Sequence, residues 1–144
     1  MKKLAIFFLV LVIIVVAIAY MYLNYKSNYD TIQRENVQFE NYYNKNVYGA
    51  DLATIINRAV DSNIKNKVQK DSSGNYIEND TNSIKIDIKM IDDDNKIYSM
   101  ETLYNGGMDK FVEYYSGITF KCTQLTYHDK TKRVKYMLFE QITQ

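Results

Sequence analysis

Asn46–Asn63, NVYGADLATIINRAVDSN, is where the chain changes character. An Asn-rich and Tyr-rich run gives way to an amphipathic pattern introduced by one glycine. Leu52, Ile55, Ile56, Ala59 and Val60 recur at i, i+3, i+4, i+7 and i+8, which is one apolar face of an α-helix. Asp51 falls in the first turn, where the helix dipole favours an anion. The spacing predicts a helix over about Ala50–Asn63. Gly49 reads as a break or kink, because glycine lets a backbone bend at little steric cost. The apolar face needs a partner surface, and the sequence that follows has the period of a small sheet. The polar residues Asp51, Asn57, Arg58 and Asp61 are spread round the helix and read as its solvated side.

Upstream lies a different signal. Leu4–Leu23 is a run of 20 residues without charge, glycine or proline. That length matches the roughly 20 residues a helix needs to cross about 30 Å of hydrocarbon. Tyr20, Tyr22 and Tyr25 cluster at its far end, as aromatic rings do at a bilayer interface. Lys2 and Lys3 precede the run, while the segment after it balances Lys26, Arg34 and Lys45 against Asp30, Glu35 and Glu40. The positive-inside rule therefore puts the N-terminus in the cytoplasm and the bulk of the chain outside a cell membrane. A cleaved signal peptide is the competing reading, through the Ala17 and Ala19 pair. The apolar run continues past that pair to Leu23 with no helix breaker, which favours an uncleaved single-pass signal-anchor. No cysteine near the run marks a lipoprotein, and no glycine or glutamate within it marks a prepilin cleavage signal.

Past the run, Tyr22, Tyr29, Asn36 and Tyr43 recur every seven residues, as do Tyr25, Ile32, Phe39 and Asn46. The stripe predicts that the membrane helix continues outward. Its polar members and short length leave two uses open, rest on the protein's own domain or seam for a partner helix. The phase does not carry through Gly49. The domain reading is thus an anchor over residues 1–23, a helical extension over 24–48 and an extracytoplasmic α+β domain over 49–144.

From Val68 the period becomes two. KVQKDSSGNYIEND predicts a short hairpin turning at Asp71–Gly74, and SIKIDIKM alternates Ile84, Ile86, Ile88 and Met90 with Lys85, Asp87 and Lys89. An acidic turn, Asp92–Asn95, precedes a strand-like KIYSM. MDKFVEYY, after Gly106 and Gly107, has helical spacing at Phe111, Val112 and Tyr115. Strands over Ile118–Tyr127 and Val134–Gln141 flank the turn HDKTKR. The fold class expected is α+β, with a small antiparallel sheet and one short crossing helix.

Composition narrows the function classes. The chain has 18 Lys and Arg against 17 Asp and Glu, and setting Lys2 and Lys3 aside leaves 16 against 17, so no global field points to nucleic acid. The Asn, Ile, Lys and Tyr usage, with no Pro or Trp, reflects AT-rich codons and a low-GC bacterium. The single cysteine, Cys122, cannot form an intramolecular disulfide. Cys122 and His128, the tempting catalytic or metal pair, stand about 20 Å apart on a regular strand and read as a packing thiol and a turn-proximal histidine. Asp92–Asn95 lacks the ligand spacing of a calcium loop. Lys130, Lys132, Arg133 and Lys135 form a basic turn with the composition to meet anionic lipid or wall polymer, and read first as solvated charge. The sequence assigns no catalytic, cofactor-binding or metal residue, no cofactor, and no enzymatic role.

The order of apolar helix, polar helical extension and small sheet resembles the organisation of type IV pilins and pseudopilins, without their cleavage glycine or helix glutamate. YGADLATIINRAVDSN, DTNSIKIDIKM and FKCTQLTYHDKTKRVKYMLFEQ are similar to uncharacterised membrane-anchored proteins of low-GC Gram-positive bacteria. The resemblance implies organisation and carries no functional residue. The function expected is a structural or interaction component of a cell-surface assembly, pilus-like or secretion-related, whose partners are the lipid bilayer and other envelope proteins met by the membrane-proximal helix. The alternative is a tethered domain that binds a small ligand or wall fragment.

Overall fold

The computed structural model describes residues 2–142 and divides the chain into two units, Met1–Arg34 and Glu35–Gln144. The first is helical over its described residues. It is the greater part of α1 (Lys2–Glu40), and among the described residues it holds the one stretch long and apolar enough to cross a membrane, with mean hydropathy 3.2 and none of that window buried.

The second unit starts with the last turn of α1 and continues through β1 (Asn46–Tyr48), α2 (Gly49–Lys65), β2 (Lys85–Met90), β3 (Lys96–Ser99), α3 (Met100–Gly106), α4 (Met108–Tyr115), β4 (Thr119–Tyr127) and β5 (Val134–Gln141). The α+β class read from the sequence is what the chain adopts. Two details differ. The helical extension stops at Glu40, and residues 46–48 form an edge strand, Val47 opposite Phe120, so residues 24–48 are not one helix. The sheet is mixed, with order β1-β4-β5-β2-β3. β2 runs parallel to β5, Ile86 beside Met137 and Ile88 beside Phe139, and the other strand pairings are antiparallel, with one isolated parallel bridge between Tyr43 and Cys122. A period of two reports that a strand has one buried face. It carries no information on the direction of the neighbouring strand.

One core results. Leu52, Ile55, Ile56 and Ala59 of α2 pack with Ile86, Ile88 and Met90 of β2, Phe120 and Cys122 of β4, and Met137 and Phe139 of β5. Lys85, Asp87 and Lys89 alternate with the buried β2 residues and take the opposite side. That side satisfies itself, through Lys85–Asp87 at 3.4 Å, Lys89–Glu140 at 3.1 Å and the Tyr136 hydroxyl donating to Asp87 at 3.2 Å.

The expected 68–80 hairpin shrinks to one bridge, Lys70–Tyr76, around a turn at Asp71. The strand KIYSM ends one residue early. Ser99 Oγ accepts from Thr102 N at 3.3 Å and starts α3, placing Met100 wholly in the core. α3 and α4 join through Gly107, whose φ of 100° suits glycine.

The reason for Gly49 is close approach. A Cβ there would lie 1.9 Å from the carbonyl oxygen of Tyr115, at the end of α4, while the Gly49 N–H donates to Ile118 O at 2.9 Å. The helix that decides the fold can thus reach α4 only at a residue without a side chain. At Gly106 an added Cβ meets nothing within 4 Å. Gly49→Ala is expected to cost about 3 kcal/mol or more of unfolding free energy, and Gly106→Ala to be neutral or stabilising by up to about 1 kcal/mol. Urea titration of the two variants checks the contrast, and equal effects would contradict the close packing of α2 on α4.

Candidate functional site

The polar side chains converge where β2 and β5 begin. Asn63, fully buried near the end of α2, donates to Ile84 O and accepts from Ile84 N, both at 2.8 Å. Asn36, in the last turns of α1, donates to Lys132 O at 2.7 Å and accepts from Val134 N at 2.9 Å. Each amide presents the donor and acceptor that a neighbouring strand would offer, so each satisfies the backbone at a strand entry. Phe39, one turn beyond Asn36, enters the core.

The basic turn between β4 and β5 is the centre of this arrangement. Arg133 pairs with Glu35 at 2.9 Å and donates to Asn66 Oδ1 at 3.3 Å. Lys130 pairs with Asp80 at 2.8 Å, and Lys135 pairs with Glu78. Three of the four cations that the sequence offered to an anionic surface are therefore matched by carboxylates from α1 and the segment before β2. Lys130 holds the Asp80 carboxyl below its ordinary value, so that pair is present above the ordinary aspartate range and is lost as pH falls through the depressed value. Both groups are solvated, and the pair orients more than it stabilises.

Cys122 and His128 are both buried and serve separate contacts. A register shift between Cys122 and Gln124 interrupts the alternation of β4, so the regular strand assumed from sequence does not hold. The Cys122 thiol approaches Gln124 O at 3.4 Å, and burial pushes its pKa up to about 11. His128 Nε2 donates to Ser83 O at 2.8 Å. The acidic turn is closed by Gln141, whose Oε1 accepts from Ile91 N at 3.0 Å and whose amide donates to Asp92. Among the described residues no group of three or more His, Cys, Asp or Glu is placed to hold a metal ion.

The stripe divides. Asn36 and Phe39 are consumed inside the second unit, whereas Tyr25 and Tyr29 are 70% and 51% exposed. The polar side of α2 is solvated as expected, and Arg58, Asp61 and Lys65 line a shallow recess of about 230 Å³ with Glu35, Gln38 and Phe39. A second hollow, about 300 Å³, lies on the polar side of the sheet beside Lys121 and Thr123. Sequence reading missed Asn36 and Asn63 as structural ligands. The available signal was a carboxamide at an otherwise apolar position of each stripe.

Comparison of the chain with protein-family models, with curated proteins and with solved structures gives no match.

Asn36→Ala removes both bonds to β5 and is expected to cost about 2–3 kcal/mol, seen as a lower urea midpoint. Cys122 yields a pH prediction. Its pKa is raised on folding, so its contribution is complete below the ordinary cysteine value of 9.0 and is lost as pH rises towards about 11. Alkylation at pH 8 should be negligible in the folded chain and rapid in urea. Rapid native labelling would contradict the buried thiol.

Proposed function

We propose that the chain is a single-pass, membrane-anchored extracytoplasmic component of a cell-surface assembly, structural or interactive rather than catalytic, with Lys2 and Lys3 on the cytoplasmic side. The observation that carries this reading is the apolar run of α1. From Leu4 to Leu23 every large apolar side chain is exposed, Val12 at 60% and Leu23 at 62% among them, and nothing in a water-soluble state offsets the hydration of such a surface. A bilayer does.

Support for an assembly role comes from Tyr25 and Tyr29. They follow the span on the helix, keep their seven-residue relation to Tyr22 and Ile32, and are exposed. Tyrosine supplies large contact area at low entropic cost, which suits partner contact. The likeness to pilin organisation agrees with this reading, and the neighbouring envelope proteins are its proposed partners. The non-catalytic part rests on Cys122 and His128 being committed to packing and to a backbone bond.

The recess beside Arg58 and Asp61 favours a second reading, a tethered domain that binds a small ligand or wall fragment. Its volume of about 230 Å³ lies below the range of about 300–1,000 Å³ usual for drug-sized ligands, and the hollow of about 300 Å³ beside Lys121 and Thr123 only reaches the lower end of that range, which places this reading second.

The test is photocrosslinking of the full chain in membranes from probes at Tyr25 and Tyr29. Adducts to other envelope proteins, absent from probes at Arg58 and Asp61, are expected. Adducts at neither tyrosine, together with a thermal shift on adding wall fragments, would replace the assembly reading by the ligand-binding one. Carbonate extraction tests the anchor separately, and recovery of the chain in the soluble fraction would refute it.

A further inference from the structure

Between α2 and β2 the chain runs through residues 66–84 with no helix and no strand. Such a length of irregular chain in a small domain is unusual and calls for a physical account. Most of its hydrogen bonds are internal. The Asp71 carboxylate accepts from Ser73 N and Asn75 N, both at 2.9 Å, and Asn79 Oδ1 accepts from Thr81 N, Asn82 N and Ser83 N. Over residues 66–83 only Val68 and Ser83 are buried, and Val68 stands outside the main core cluster.

Beyond Asn66, which Arg133 holds at the start of the segment, and the Tyr76 ring, which packs half-buried against the core, external polar attachments are few and lie at two edges. At one, the turn between β4 and β5 supplies the Lys130–Asp80 pair, the Thr131 hydroxyl on Thr81 O at 2.6 Å and His128 on Ser83 O, and the start of β5 supplies the Lys135–Glu78 pair. At the other, α3 supplies Glu101, whose Oε1 accepts from Tyr76 N at 3.3 Å. What the segment buries there is poorly compensated. Glu101 is 6% exposed with no cation paired to it among the described residues, and the Tyr76 hydroxyl is buried without a hydrogen-bond partner. Both groups gain water if the segment lifts, which offsets part of the cost of lifting it.

We propose that residues 69–82 form a strap that opens as a unit without global unfolding, latched to the β4–β5 turn by the Asp80–Lys130 pair and to the start of β5 by the Glu78–Lys135 pair. Internal turns keep the strap folded on itself as it moves. The strand entries stay fixed, because Asn63 and His128 hold Ile84 and Ser83 at its base. Opening uncovers Glu101 and Tyr76 on the α3 side, and so changes the polarity of that surface. The latch pairs are solvent-exposed and respond to ionic strength.

Hydrogen exchange of the full chain in detergent micelles reads this directly. The reporter is the amide of Tyr76, held by Glu101 across the edge that opens. It is expected to exchange well before the amides of β4 and β5 and before the Asp71 and Ile77 amides bonded within the strap, and a few-fold faster again in about 0.5 M salt, where the screening length falls to a few ångströms. Asp80→Asn with Glu78→Gln should reproduce the salt effect at low salt, and exchanging the charges through Asp80→Lys with Lys130→Asp should reverse part of it. Tyr76→Phe, which removes the unpartnered hydroxyl, should slow exchange. A Tyr76 amide that exchanges only with β4 and β5, or that ignores both salt and removal of the pairs, would overturn the strap.

Discussion

Two buried carboxamides hold the entries of the central parallel strands, and much of the second unit depends on them. β2 and β5 lie side by side, but the chain reaches their first residues from opposite histories, β2 from the long segment after α2 and β5 from a tight turn after β4. At such entries the backbone has groups to satisfy before the ladder begins. Asn63 satisfies both polar atoms of Ile84, and Asn36 satisfies Val134 N and Lys132 O. A buried amide or carbonyl left without a partner costs about 1–3 kcal/mol. Hydrophobic contact alone would fix neither register nor entry angle, since it is non-directional. The two asparagines supply direction and attach the ends of α1 and α2 to adjacent strands.

This explains which parts of the fold were legible. The α2 stripe, the alternation of Ile84 to Met90, and the strands 118–127 and 134–141 were readable because each has one buried face, and burial imposes a period on sequence. Strand direction was not, because parallel and antiparallel neighbours impose the same period. α3 was missed although Ser99 is a good N-cap, since Ile97 and Tyr98 prolong a strand-like pattern into Met100. Gly49 was correctly placed at a boundary for an incomplete reason. Local sequence shows that glycine permits a bend, whereas contact with Tyr115, far along the chain, can be seen only once the chain is folded. Asn36 looked like a weakness in a coiled-coil seam and is instead a buried ligand of β5. In the candidate site, the basic turn was legible as a cluster, but its carboxylates come from Glu35, Glu78 and Asp80, distant positions that only tertiary structure brings near.

The same pairing answers what kind of surface the domain presents. With Arg133 on Glu35, Lys130 on Asp80, Lys135 on Glu78 and Lys89 on Glu140, much of the charge is matched locally. A near-neutral chain with locally paired charges has no strong field to gather a polyanion. Much of what remains exposed and apolar is aromatic, beside Val37, Ile64, Ile77 and Ile97. Tyr43, Tyr48, Tyr114 and Tyr127 join Tyr25 and Tyr29 as exposed rings.

The chain therefore combines two solutions to the solvent problem. The second unit withdraws most of its Leu, Ile, Val, Met and Phe from water into one core and leaves charge and tyrosine outside, with Val37, Ile64, Ile77 and Ile97 as its exposed aliphatic side chains. In the run Leu4–Leu23 the apolar side chains stay outside and every backbone bond is made within the helix, an arrangement that is stable where the surrounding medium is itself apolar. Since α1 supplies both the exposed run and, through Asn36 and Phe39, part of the core of the second unit, its last turns cannot be removed with the span. A boundary drawn between residues 23 and 35 separates the two solutions, whereas one drawn after Glu40 leaves Val134 N and Lys132 O without their ligand.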